Sequence, residues 1–162
     1  MNVFLNCCYH PILSVIFVLL PLGLRPSVAE DAVSLFDGKS LSGWQTVEAD
    51  EQWWTVTDNL ITGGSLETTV PHNTFLATQE SFANFELTLK IRIRGAGGFI
   101  NSGVQMRSIR VPNSSEMSGY QVDAGDGWWG KLYDESRRNK VIAEATDLEA
   151  VNKSINNDDW NE

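Results

Sequence analysis

The chain has only two cysteines in 162 residues, Cys7 and Cys8, and both precede residue 30. Whatever folds beyond that point has no disulfide and stands on its hydrophobic core alone. Long apolar runs are also missing. Ile12 to Leu20 is stopped by Pro21 and Gly23, whereas a bilayer span takes about 20 such residues. Ser27-Val28-Ala29 supplies the small residues that a signal peptidase reads. One feature departs from the usual leader: no Lys or Arg precedes the apolar stretch. Asn6 and Cys7 are not the small residues expected before a lipidated cysteine, which argues against a lipid anchor. We expect residues 1–29 to be a signal peptide, with an uncleaved anchor or a misassigned start as alternatives. The remaining 30–162 would then be an exported domain, periplasmic or extracellular, with no stable membrane insertion.

Histidine and positive charge are scarce as well. Beyond residue 29 the only histidine is His72. A multi-histidine zinc site is excluded by count. A Ser-His-Asp triad would have to pass through His72, and no Gly-x-Ser-x-Gly elbow is present. With Arg25 gone with the leader, 11 basic residues face 21 acidic ones. Clustered cations are what phosphate partners require, so nucleic acid and anionic membranes are disfavoured. The acidity is explained by solubility alone.

Amphipathic helix is nearly absent too, apart from a weak pattern near Thr146–Lys153. What the chain has is strand periodicity. Phe85, Leu87, Leu89, Ile91 and Ile93 alternate with Glu86, Thr88, Lys90, Arg92 and Arg94, which predicts a strand with one buried face. Further strands are expected over Trp53–Thr57, Asn59–Thr62, Thr74–Thr78, Gly98–Ser108 and Gly119–Ala124. Asp37-Gly38, Asp58-Asn59, Gly63-Gly64, Gly95–Gly98 and Pro112–Ser115 supply the turns between them. Gly95–Gly98 joins strand to strand, so it is no phosphate loop. The fold class is all-β, a sandwich or jelly roll. Asn156–Glu162 reads as a turn into a strand beginning at Trp160, and we expect a jelly roll incomplete at its C-terminal end.

The run Gly119–Arg138 combines residue types that a core does not need. Tyr120 and Val122 would point inward, Gln121 and Asp123 outward, ahead of a glycine-punctuated turn with Trp128 and Trp129. Tyr133, Asp134, Glu135, Arg137 and Arg138 follow. Sugar hydroxyls take bidentate polar partners, and the C–H face of a pyranose takes a flat aromatic surface. Trp128 and Trp129 could both stack on a ring, but adjacent tryptophans in a sandwich usually divide, one facing inward. Tyr133 to Arg138 read equally as a solvated charged loop. Trp44, Trp53 and Trp54 read as core.

Three segments together resemble a known family. Leu35-Phe-Asp-Gly-Lys-Ser-Leu-Ser-Gly-Trp44 is similar to the opening signature of the bacterial 3-keto-disaccharide hydrolase domain, also described as a 3-keto-glucoside lyase and hydratase. Asn84–Arg94 followed by Asn101-Ser-Gly-Val-Gln-Met-Arg107 resembles its central strand pair. Gly119-Tyr-Gln-Val-Asp123 with Gly130-Lys-Leu-Tyr-Asp134 resembles the strand and loop after it. The resemblance runs from about residue 33 to the end and implies a concanavalin A-like jelly roll of two antiparallel sheets. It also implies that Asp159–Glu162 begins a strand with several more to follow.

The reaction it implies has a plain logic. A ketone at the third carbon acidifies the hydrogen on the second, a base removes it, and the aglycone leaves from the first. Water then adds to the glycal. Such a site needs a base, a cation or metal at the enolate oxygen, and an acid for the leaving group. Asp123 is the first choice for base or metal ligand, against a solvated strand-end aspartate. If the strand pair is in register, Gln105, Arg107, Gln121 and Asp123 share one sheet face. Arg107 could then hold the enolate, or merely pair with Asp123. Glu135 is the reserve acid, with Asp134 beside it. Asn101, Gln105, Gln121, Trp128, Trp129, Tyr133 and Arg137 are the candidate substrate contacts, Asn101 reading equally as a turn former. A divalent metal on carboxylates stays open as a cofactor, without a motif to support it.

Other readings remain. Retaining glycosidases of sandwich shape carry Glu-x-Asp-x-Glu on one strand; Glu48-Ala-Asp-Glu-Gln52 lacks the last acid. A non-catalytic carbohydrate-binding module would need the aromatics and amides but not Asp123 or Arg107. A structural or interaction domain is a third reading. The substrate class expected is a 3-keto glycoside or an oligosaccharide, and nothing in the sequence sets the oligomeric state.

Overall fold

The structure, a computed structural model, describes residues 2–6, 32–95, 99–157 and 159–162. The apolar stretch Ile12–Leu20, both cysteines, the expected cleavage site and the centre of the Gly95–Gly98 turn lie outside the described residues. No helix among the described residues is long and apolar enough to cross a membrane.

Among the described residues nine strands carry the fold: β1 (Asn2–Asn6), β2 (Trp44–Gln45), β3 (Trp54–Thr57), β4 (Leu60–Gly63), β5 (Phe75–Ser81), β6 (Asn101–Arg110), β7 (Met117–Gly125), β8 (Leu132–Glu135) and β9 (Lys140–Ala143). Seven form one sheet in the order β2-β5-β1-β6-β7-β8-β9, and β3 with β4 makes a separate hairpin. The sheet is antiparallel except at β1, which runs parallel to both β5 and β6. Among the described residues, helix occurs at a 3-10 stretch at Glu48–Trp53 and at α1 (Leu148–Ser154), whose first turn Asp147 caps by accepting from the Ala150 amide at 2.9 Å. The protein is a mostly β jelly-roll sandwich, as its strand periodicity predicts.

The hairpin is fixed to the sheet through tryptophan. Trp44, Trp54 and Leu76 are buried together, with Leu35, Leu41, Trp53 and Ile61 packed around them. Burying side chains of this size removes the most apolar surface per residue. The indoles need polar partners inside, and each has one. Trp54 Nε1 donates to Thr74 Oγ1 at 2.9 Å, and Trp44 Nε1 donates to the Leu35 carbonyl at 2.8 Å. That second bond closes the Leu35–Trp44 segment into a loop. Asp37 braces it by accepting from the Lys39 and Ser40 amides, bonds that hold its carboxyl below the usual range. The opening motif is therefore structural.

Two expectations are corrected. Phe85–Ile93 does not form a ladder. Leu87, Leu89 and Ile91 are half-buried and alternate with exposed Thr88 and Lys90, but Phe85 is exposed and Arg92 half-buried, so the alternation fails at both ends. The only backbone pairing of this segment among the described residues is Ile91 with Asn161, at 2.8 and 2.9 Å. Alternation fixes which face is buried; it cannot supply a neighbouring strand. The facing of β7 is also opposite to expectation. Gln121 and Asp123 are buried, while Val122 is 37% exposed.

Candidate functional site

The site is built on the β6–β7 pair, the longest register in the protein. Gln105 stands opposite Gln121, and Gly103 opposite Asp123. Side chains alternate along a strand, so Gln105, Gln121 and Asp123 occupy one face. β8 extends that face, since Tyr133 pairs with Gln121 and Glu135 with Gly119. Four positions from two strands thus place Gln121, Asp123, Tyr133 and Glu135 side by side. Gly103 is required for the arrangement. A Cβ there would lie 2.7 Å from Gln121 Cγ and 2.8 Å from the Val122 carbonyl oxygen, closer than real contacts allow.

These side chains line a cavity of about 190 Å³ with Asn73, Phe99, Asn101 and Trp128. Asp123 sits in it at 4% exposure, and Gln121 Nε2 donates to its Oδ1 at 2.7 Å. Burial pushes the Asp123 carboxyl up to about 6; the hydrogen bonds from Gln121 and Asn101 and the charge of Lys131 pull the other way. Burial raises Glu135 as well, with the charges of Glu116 and Asp123 adding to it and a backbone bond from Ser136 opposing it. Tyr133 is raised by burial and then by Glu135 and Asp123. Two carboxyls in one small cavity, both biased toward the neutral form, are suited to proton transfer near neutrality.

Several polar atoms of this face have no hydrogen-bond partner among the described residues: Asp123 Oδ2, Gln121 Oε1 and both terminal atoms of Gln105. Buried polar atoms left in this way are costly, and a hydroxyl-rich ligand is one means of satisfying them. The aromatic wall is equally defined. Trp128 meets Phe99 edge to face at 6.1 Å and Tyr133 at 6.2 Å, and Lys131 Nζ lies 5.3 Å from its ring. Phe99 is 75% exposed at the mouth.

The structure gathers Asp123, Glu135, Asn101, Gln121, Trp128 and Tyr133 of the expected residues. Gln105 lies on the same face, fully buried and outside the cavity lining. Trp129, half-buried like Trp128, does not line the cavity. Arg107 is not brought in. The register slips between Met106 and Ile109, Arg107 adopts φ 51°, and its side chain is exposed. A bulge adds a residue to one strand and reverses the facing beyond it. Arg137 is also elsewhere. It bonds Asp134, which is fully buried, and lies over the Tyr120 ring at 4.4 Å, on the opposite face of the sheet. Arg138 Nη1 holds the other Asp134 oxygen at 2.8 Å. Asp134 is therefore a structural anion.

Asn73, Phe99 and Lys131 are the residues that sequence reasoning missed. Phe99 had a signal, a bulky aromatic straight after a glycine-rich turn; Asn73 had none. Among the described residues no three His, Cys, Asp or Glu side chains gather in a metal-binding group. The cavity offers the Asp123 and Glu135 carboxylates and the amide oxygens of Asn73, Asn101 and Gln121 as oxygen donors.

Residues 31–162 match the family described as the 3-keto-alpha-glucoside-1,2-lyase-like domain. No curated protein and no solved structure matches the chain.

Proposed function

Because the chain belongs to the 3-keto-alpha-glucoside-1,2-lyase-like family, we propose that it cleaves 3-keto glucosides by elimination followed by hydration, with Asp123 as the base. The observation that carries this reading is the buried Asp123 carboxyl, raised to about 6 and held by Gln121. At neutral pH a group of that pKa is mostly ionised yet far more basic than a surface aspartate.

The steps follow from position. Asp123 takes the proton from the second carbon, and charge moves onto the oxygen of the ketone. Gln121, Asn101 and Asn73 are the neutral amides lining the cavity, and one or more would donate to that oxygen. Lys131, whose charge is felt at Asp123, takes the electrostatic part first given to Arg107. Glu135, kept toward its neutral form, gives its proton to the departing oxygen. Trp128, Phe99 and Tyr133 receive the apolar face of the ring. Water then adds at the first carbon of the glycal, with Glu135 taking a proton from it and Asp123 returning its proton to the second carbon, which restores both carboxyls. We also propose export through residues 1–29; fusing them to a reporter and finding it uncleaved in the cytoplasm would sink that part.

The deciding experiment is single-turnover release of aglycone from a 3-keto glucoside, for wild type and for Asp123→Asn. Loss of release in the variant with sugar binding kept supports the reading. Binding without release in wild type would leave a carbohydrate-binding module.

A further inference from the structure

A second and larger cavity adjoins the first. It measures about 630 Å³ and shares Asn73, Phe99 and Asn101 with the Asp123 cavity. The volume falls in the range of roughly 300–1,000 Å³ typical of small-ligand sites. Its walls include the Gly63–Val70 loop, His72, Arg92 and Arg94.

The two cavities differ in sign. The smaller is lined by Asp123 and Glu135 and by no Lys or Arg. The larger is lined by Arg92 and Arg94 against one carboxylate, Glu67. Arg137 and Arg138 reach a carboxylate; among the described residues Arg92 and Arg94, like Arg107 and Arg110, have none, and Arg92 and Arg94 are the two that line this cavity. Arg92 lies over the Trp160 ring at 4.7 Å, which fixes its plane without neutralising it. Arg94 is exposed. His72 is held in place from behind, its Nε2 lying 2.8 Å from Oδ1 of the fully buried Asp50.

We propose that the leaving portion of the substrate is a uronic acid, seated in the Arg92–Arg94 cavity while the keto sugar occupies the Asp123 cavity. This rests on the proposed function for which end reacts. A guanidinium presents paired N–H groups that match a carboxylate, and the fork is rigid. Phe99, exposed where the cavities meet, offers an apolar face to the ring between them.

The test is equilibrium binding of methyl β-glucuronide and methyl β-glucoside to the full chain, by calorimetry or ligand-observed NMR. Neither is a 3-keto compound, so turnover does not enter. The glucuronide should bind about tenfold tighter or better, the preference should fall at high salt, and Arg94→Gln should abolish it. Arg94 is exposed, so the variant keeps its fold, which a matched melting curve checks. Equal affinities, no glucuronide binding at about 10 mM, or a preference that survives Arg94→Gln would each overturn the inference. A uronate preference together with no turnover of any 3-keto glycoside would overturn the proposed reaction alone.

Discussion

Gln121 and Asp123 stand two positions apart on one strand, and the Gln121 amide donates to Asp123 Oδ1 at 2.7 Å while Oδ2 has no partner among the described residues. One oxygen is positioned and the other is left to meet a substrate. The bond works against burial, which is the larger influence on this carboxyl. Gln121→Leu removes the donor, so burial acts unopposed by it and the pKa rises. The acidic limb of kcat/KM, set by a group near 6 in wild type, should move to higher pH. A limb that stays in place would separate Asp123 from catalysis. Asp123→Asn should lower turnover by about 10²–10⁴-fold.

Stability should move the opposite way. The folded-state pKa of Asp123 is raised above its value of about 3.9 in an unfolded chain. Its contribution is fully present below that value and is lost as pH rises through about 6. Urea unfolding of Asp123→Asn should therefore show a gain over wild type at pH 7, on the order of 1–2 kcal/mol, and almost none at about pH 3, below the unfolded value. Stability gained with activity lost is the signature of a site held under cost for function.

The two tryptophans should separate by ligand. Trp128→Ala removes the ring that contacts both Phe99 and Tyr133, and sugar binding should weaken by about tenfold. Trp129→Ala should leave sugar affinity within about twofold while lowering the melting temperature. Titration with a methyl glycoside reads the first effect and a thermal scan the second.

Asp134 and Arg107 should prove irrelevant to chemistry, each in its own way. Asp134→Ala breaks a buried anion from Arg137 and Arg138, whose own side chains are partly in solvent, and should cost about 1–3 kcal/mol with turnover kept in the folded fraction. Arg107→Ala at an exposed bulge should change neither turnover nor stability measurably.

In the full chain β1 fills the slot between β5 and β6, and cleavage of the proposed leader would remove it. Deleting residues 1–29 should speed amide exchange at Phe75–Ala77 and Gly103–Gln105, the positions paired with it. Unchanged protection after deletion would show that the slot is held without β1.

The sequence revealed the face but not its sense. Alternation in Gln105, Gln121 and Asp123 is enough to place three polar groups together, because register across a hairpin follows from period two. The expectation that they point outward came from ordinary sheet patterning, and a ligand cavity inverts that patterning. Arg107 was lost to a bulge that no glycine or turn residue announced. Tyr133 and Glu135 sit on a strand of only four residues, too short and charged to read as one. Asp50 and His72 are 22 positions apart, and nothing in their spacing joins them. Leu87 to Ile91 showed the right period without revealing that its neighbour would be a single residue, Asn161.

That neighbour belongs to the short segment Trp160–Glu162, which also places an indole under Arg92 and a carboxylate 3.7 Å from Lys90. The arginine wall of the larger cavity thus leans on a chromophore. An anion that draws Arg92 away from the Trp160 ring would change the light that ring emits, so the chain carries its own optical gauge of occupancy there.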